Sequence, residues 1–335
     1  MSASTASISS GPGASISAAS LAPPGPTAAV RPHLPGVPDD RLDAAYAACA
    51  QIVRERARNF YHGLRLTPEP RRGAIYAIYA WMRAADDCAD APEPAPVRRE
   101  RLRLFGERTR RIVDAQLPHE ADPPFWLALA ATVRSYPIDP VIFFDMLEGL
   151  AEDLDAPGYQ TDDDLARYCY RVAGTAGLAC VWIWGLKPGV DPAHARQLAL
   201  RRGQAFQRTN ILRDFLQDFD EAPSRVYLPR EIFARHDLTP DQVRNWHRPD
   251  ACAALVAEQA AIAREHYTAS AELESIIDPS CGPTLWAMTR IYSGLLDIVQ
   301  KDPARVADQR RIRLPGAKKA SIALQAAVLA RVGKW

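Results

Sequence analysis

The run RRGAIYAIYAWMRAADDCAD, Arg71 to Asp90, leaves a chain few ways to fold. Positions three and four apart share one face of an α-helix. Ile75, Tyr79, Met82, Asp86 and Asp90 are spaced 4, 3, 4 and 4, so two carboxylates prolong an apolar stripe instead of lying opposite it. The segment is apolar nearly all round, which marks a buried helix. An unpaired carboxylate at the end of such a stripe is costly to desolvate. Any fold that uses this helix must bring something cationic to its end.

A second segment, GQAFQRTNILRDFLQD, repeats the device. Gly203, Gln207, Asn210, Asp214 and Asp218 are again spaced 4, 3, 4 and 4. Arg213 adjoins Asp214, as Arg83 stands three residues before Asp86. Two such faces turned toward each other surround a cavity with carboxylate oxygens. That suits a hard divalent cation, Mg²⁺ with Mn²⁺ as its substitute, bound through a few carboxylates and completed by substrate phosphates. Arginines nearby would hold the remaining phosphate oxygens. A lone D-x-x-x-D is usually a solvated face or an ion-pair donor, but two in register with amides and aromatics are a narrower pattern. The D-x-D-x-D-G spacing of a calcium loop is missing. So are the E-x-x-H pairs of a di-iron bundle.

The rest of the chain reads as helix after helix. Helical spacing recurs over 38–60, 71–90, 96–117, 122–136, 139–154, 162–185, 191–220 (one long helix or two), 251–277 and 283–300, with Pro, Asp and Gly clusters between. Period-2 runs never exceed a few residues. The expected fold is all-α: a single-domain helical bundle with a central cavity over 39–335. It follows a disordered Ala/Ser/Pro/Gly-rich tail over 1–38. An apolar fraction of 47% is ample for its core. A net charge of +1 gives no reason to expect nucleic acid. The six cysteines form no CxxC pair, which reads as free thiols in a reducing cytoplasm. No secretory signal pattern and no apolar run of membrane-spanning length is present.

Three segments in order, AIYAWMRAADDCAD, YCYRVAGTAG and GQAFQRTNILRDFLQD…SRVYLP, resemble the signatures of the squalene/phytoene synthase family, from about Arg56 to the C-terminus. That family joins two isoprenoid diphosphates head to head. The resemblance implies Asp86, Asp90, Asp214 and Asp218 as Mg²⁺ ligands, with Asp87 in support. It implies Arg83 and Arg213 as diphosphate contacts; otherwise they are intrahelical partners of Asp87 and Gln217. Gln207 and Asn210 match positions near the metal, and Tyr79 and Tyr168 match tyrosines facing the cavity, where aromatic faces stabilise allylic and cyclopropylcarbinyl cations. Gly174 and Gly177 would allow a bend or a close approach. Arg225 and Tyr227 resemble a flap pair over the second diphosphate.

The chain departs from the family pattern in two places. Asn59-Phe60 replaces Ser-Phe, and about two extra residues follow the second motif, where Asp220 could compete with Asp218. The implied reaction makes presqualene diphosphate or squalene from two farnesyl diphosphates. The alternative is 15-cis-phytoene from two geranylgeranyl diphosphates. Without a G-x-G-x-x-G after a strand, NADPH is not favoured as a cofactor. A catalytically silent helical partner protein is the rival from another class, but all four motif aspartates are intact. The basic stretch carrying Arg305, Arg310, Arg311, Arg313, Lys318 and Lys319 suggests peripheral contact with the inner face of a membrane for an otherwise cytoplasmic protein.

Overall fold

The computed structural model describes residues 31–57, 61, 63–155, 158–221 and 224–332. Most of the expected tail, and Asn59-Phe60, lie outside them. Leu34, within the stretch read as tail, is fully buried. A lone leucine among Pro and Gly carries no periodic signal, so the sequence reading set the start of the packed structure too late.

The helices are α1 (Asp39–Arg56), α2 (Arg71–Ala89), α3 (Ala95–Val113), α4 (Phe125–Ser135), α5 (Val141–Asp155) and α6 (Asp162–Cys169). A π-helical turn, Tyr170–Gly174, leads into α7 (Thr175–Trp184), followed by α8 (Pro192–Asp220), α9 (Arg230–Arg235) and α10 (Pro240–Arg244). Then come α11 (Pro249–Ala269), α12 (Leu273–Ile276), α13 (Gly282–Lys301), a 3₁₀ turn (Pro303–Ala307) and α14 (Gly316–Val332). Among the described residues no strand forms; Leu186 and Ile277 make one isolated bridge. The all-α expectation holds.

Local chemistry starts these helices where the sequence signals it. Thr161 and Asp164 close a reciprocal capping box on α6. Asp191 accepts from the Ala193 N–H while Pro192 opens α8. α8 is one helix of 29 residues, not two. The single helix expected over 251–277 is instead broken after Ala269. There Arg202 of α8, 3% exposed, donates to Ser270 Oγ (2.9 Å), to the Ser270 carbonyl (2.8 Å) and to Glu274 (3.0 Å). A buried guanidinium must be fully paired, and that pairing ties α8 to the break.

Two hydrophobic clusters form the core, one built mainly on α1–α5 and α7, the other on α6, α8, α11, α13 and α14. Phe206 of α8 packs against both. The seam between them closes on glycine. A Cβ at Gly203 would meet Gly174 Cα at 2.8 Å and Gly174 N at 2.9 Å, backbone that cannot step aside. A Cβ at Gly177 would find only the Ala199 carbonyl at 3.5 Å, an ordinary contact. Gly174, not Gly177, therefore serves the close helix crossing.

Gly203→Ala should lower stability by roughly 1–3 kcal/mol through overpacking. Gly177→Ala should be neutral or slightly stabilising through helix propensity. Urea unfolding of the two variants checks this; equal midpoints would show that the crossing tolerates a methyl group.

Candidate active site

The apolar stripe of α2 faces an apolar cavity of about 200 Å³. Ile75, Tyr79 and Met82 line it together with Val172, Gly177 and Trp184 of the segment across the seam and with Gly203, Phe206, Gln207 and Asn210 of α8. The α8 wall runs from Asn210 down to Ala199, roughly 16 Å at about 1.5 Å per residue. Beside it opens a polar vestibule of about 280 Å³, lined by Asp86, Asp90, Asp153, Tyr168 and Arg225. Val172 and Gln207 line both spaces, so the two meet there.

The α2 aspartates thus stand at the vestibule. Asp86 keeps 37% of its side chain exposed. Burial, offset by Arg83 and reinforced by Asp90, Asp87 and Asp153, pushes its carboxyl up to about 7. Asp90 closes the C-terminus of α2, where its N–H bonds the Asp86 carbonyl at 2.8 Å. Arg225 Nη2 approaches Asp90 Oδ1 at 3.5 Å, and the Arg225 N–H donates to the Asp218 carbonyl at 2.8 Å. One residue therefore bridges the two aspartate motifs. Arg83 reaches Asp87 at 2.7 Å and Asp86 at 3.7 Å, and Arg56 also holds Asp87 at 2.9 Å.

The α8 motif is arranged differently. Asp214 does not open onto the vestibule. Arg213 grips it (Nε–Oδ1 2.8 Å), and Arg311 forks onto it from beyond the 3₁₀ turn at 2.7 and 2.6 Å. Burial alone would raise its carboxyl, yet these two guanidiniums hold it below the usual carboxylate range. Asp218, buried and repelled by Asp214 and Glu221, is pushed up to about 7. Asp220 does not compete with it: Arg244 takes Asp220 in a fork at 3.0 and 2.9 Å.

Two site residues escaped the sequence reading. Asp153 of α5 accepts from the Tyr168 hydroxyl at 2.9 Å; burial pushes its carboxyl up to about 6, while Tyr168 and Arg225 oppose the rise. Tyr159 completes an aromatic stack, 5.3 Å from Tyr168 and 6.4 Å from Tyr227, with Tyr168 and Tyr227 at 5.1 Å. Asp153 was legible, since Ile142, Met146, Gly149 and Asp153 are spaced 4, 3 and 4 and the first three are buried. Arg311 had been seen only as part of a basic stretch, and no local pattern connects it to Asp214.

Among the described residues no three His, Cys, Asp or Glu side chains converge tightly enough to hold a metal ion by themselves. The donor set nevertheless fits one. Asp86, Asp90 and Asp218 offer oxygens only, and burial, with repulsion from neighbouring carboxylates, pushes the carboxyls of Asp86 and Asp218 up to about 7. Asn210 Oδ1 is buried without a partner beside Gln207, whose Oε1 accepts from Asn210 Nδ2 at 3.3 Å. Magnesium suits such a partial cage because it takes a few carboxylates and keeps waters or phosphates.

Residues 53–318 match the family model described as squalene/phytoene synthase. The chain is 31% identical over 297 residues to a 15-cis-phytoene synthase of Synechocystis, covering 86% of each protein. It is 35% identical over 288 residues to a phytoene synthase of Mycobacterium tuberculosis, covering 85% of this chain and 91% of that one. Among solved structures it resembles a dehydrosqualene synthase (26% identity, TM-score 0.75, 88% of this chain and 100% of that one). It shares its fold with a squalene synthase from Alicyclobacillus acidocaldarius (24% identity, TM-score 0.70, 79% of this chain and 96% of that one).

A carboxyl held at about 7 in the fold, against the usual 3.8 unfolded, adds stability below the unfolded value and loses it as pH rises toward 7. The metal-free protein should therefore melt higher near pH ~5 than near pH ~8. Added Mg²⁺ should raise the melting temperature more at the higher pH, and Asp86→Asn should shrink both differences. A wild-type melting temperature indifferent to pH and metal would contradict the burial of these carboxyls.

Proposed function

The chain belongs to the squalene/phytoene synthase family, prenyltransferases that condense two prenyl diphosphates head to head, and on that footing we propose that its substrate is geranylgeranyl diphosphate and its product 15-cis-phytoene. The observation that carries the choice is the likeness to proteins named phytoene synthase at 31–35% identity over most of the chain. It favours the C20 alternative over the farnesyl reading drawn from the sequence.

The two joined spaces suit this chemistry. The vestibule takes the diphosphates and the apolar cavity takes the tails, with Val172 and Gln207 at the boundary. Met82 and Met288 line the cavity and are flexible enough to yield to a chain. The divalent metal the family uses, which we take to be Mg²⁺, supplies charge to the diphosphate leaving group when bound. Asp86, Asp90 and Asp218 are the residues we assign to hold it, with Asp214 joining if Arg213 and Arg311 turn to the phosphates. Arg225 meets the diphosphate at the vestibule, and Tyr227 covers it.

Loss of the first diphosphate leaves an allylic cation, which the double bond of the second substrate attacks. Loss of one proton then closes the cyclopropane. Tyr79 presents its ring to the cation from the cavity wall, and the largely apolar lining disfavours water there. Loss of the second diphosphate and a further proton yields phytoene with no reductant, so NADPH has no part in this route. Tyr168, which lines the vestibule and donates to Asp153, is the residue we assign to relay those protons. The lipid tails also imply that substrates arrive from a membrane the protein touches; no helix among the described residues is long and apolar enough to cross one.

Purified protein with Mg²⁺ should convert geranylgeranyl diphosphate to phytoene with or without NADPH. Presqualene diphosphate or squalene from farnesyl diphosphate, at higher kcat/KM, would restore the C15 reading. Asp86→Ala and Asp214→Ala should each lower turnover by at least about 100-fold with far-ultraviolet circular dichroism unchanged. Full activity in either variant would remove that aspartate from the site.

A further inference from the structure

The last helix has an outer face that no other described residue covers. α14 buries Ile322 and Ala326 against the core, yet turns Leu324 (67% exposed) and Val328 (51% exposed) outward, one turn apart. A helix that rests on its own protein normally keeps its outer face polar; this one is apolar on both sides. The charge around it has a single sign. The 27 residues after Asp308 hold seven Lys or Arg and no Asp or Glu. Arg310, Arg313, Lys318 and Arg331 are exposed and pair with no carboxylate among the described residues.

We propose that the outer face of α14, Leu324 and Val328 with Arg331 three residues on and with Arg310 and Arg313 exposed just before the helix, docks the protein on an anionic lipid bilayer. Exposed leucine and valine enter the acyl boundary while cations meet the headgroups, the arrangement by which interfacial helices bind. A second copy of the chain is disfavoured as the occupant, because two acid-free basic faces repel each other. The position adds meaning. Leu314 packs on Gly294 of α13, and Arg311, three residues earlier, forks onto Asp214. Docking through α14 therefore anchors at the bilayer the same stretch that carries Arg311 to Asp214. The purpose of the contact rests on the substrate class proposed above, but lipid binding itself does not, and is measured without substrate.

The full chain is sedimented with vesicles of phosphatidylcholine alone and with vesicles containing one third phosphatidylglycerol. Binding should appear with the anionic vesicles only and fall as salt rises. Each cation near the surface contributes about fivefold, so Arg313→Glu with Arg331→Glu should weaken binding at least tenfold. Leu324→Glu with Val328→Glu should do the same. Both pairs should keep the circular dichroism and the turnover of detergent-dispersed substrate seen in the wild type. Binding equal on both vesicles, no binding, or binding untouched by either pair overturns the proposal. Concentration-dependent self-association of the wild type, lost in Leu324→Glu, would overturn it in favour of a second copy on this face.

Discussion

The site depends on how Arg225 stands among carboxylates that three helices bring together. Its guanidinium reaches Asp90 at the end of α2, and its N–H holds the Asp218 carbonyl at the end of α8. It also opposes the rise in the Asp153 carboxyl from a third helix. Three helices that each end an apolar stripe in a carboxylate could not meet without a cation between them. Even so, Asp86 and Asp218 stay near 7. The site is short of positive charge, which fits a place for a metal and its anionic ligand.

Charge shortage at one level and dryness at the next follow from one geometry. Close approach of Gly203 to Gly174 draws α8 against the π turn, so that Gln207 and Val172 fall at the boundary between vestibule and cavity. Above that boundary the walls are carboxylate, guanidinium and phenol; below it they are almost wholly apolar. The seam between the two hydrophobic clusters, bridged by Phe206, is thereby kept for a hydrocarbon chain. A diphosphate and its tail are sorted by the same crossing.

The arginines divide between two roles. Arg83 is bound to Asp87, Arg213 and Arg311 are bound to Asp214, and Arg244 is bound to Asp220. In each case the ion pair satisfies a carboxylate in or beside one of the two aspartate motifs. On the proposed reading an incoming diphosphate exchanges with the pairs of Arg83 and Arg213, and the doubly held Asp214 is the one most firmly occupied. Arg213 pairs with Asp214 instead of the expected Gln217; on that reading, these ion pairs and the contacts of Arg83 and Arg213 to diphosphate are two states of the same side chains.

Much of this was legible in the sequence because helical periodicity is local. The stripes of Ile75 to Asp90 and Gly203 to Asp218 name their own faces, and the helices follow from spacing, caps and breakers. Asp153 obeys the same rule and could have been found by it. The break at Ser270 could not, because it follows from a buried arginine 68 residues away. Nor could Arg311 on Asp214, across 97 residues. Spacing determined which side chains share a helix face. Only the packing of one helix on another decided which carboxylates open to the vestibule and which are held by arginine, because pairing of buried charge depends on distances in space that no pattern along the chain contains.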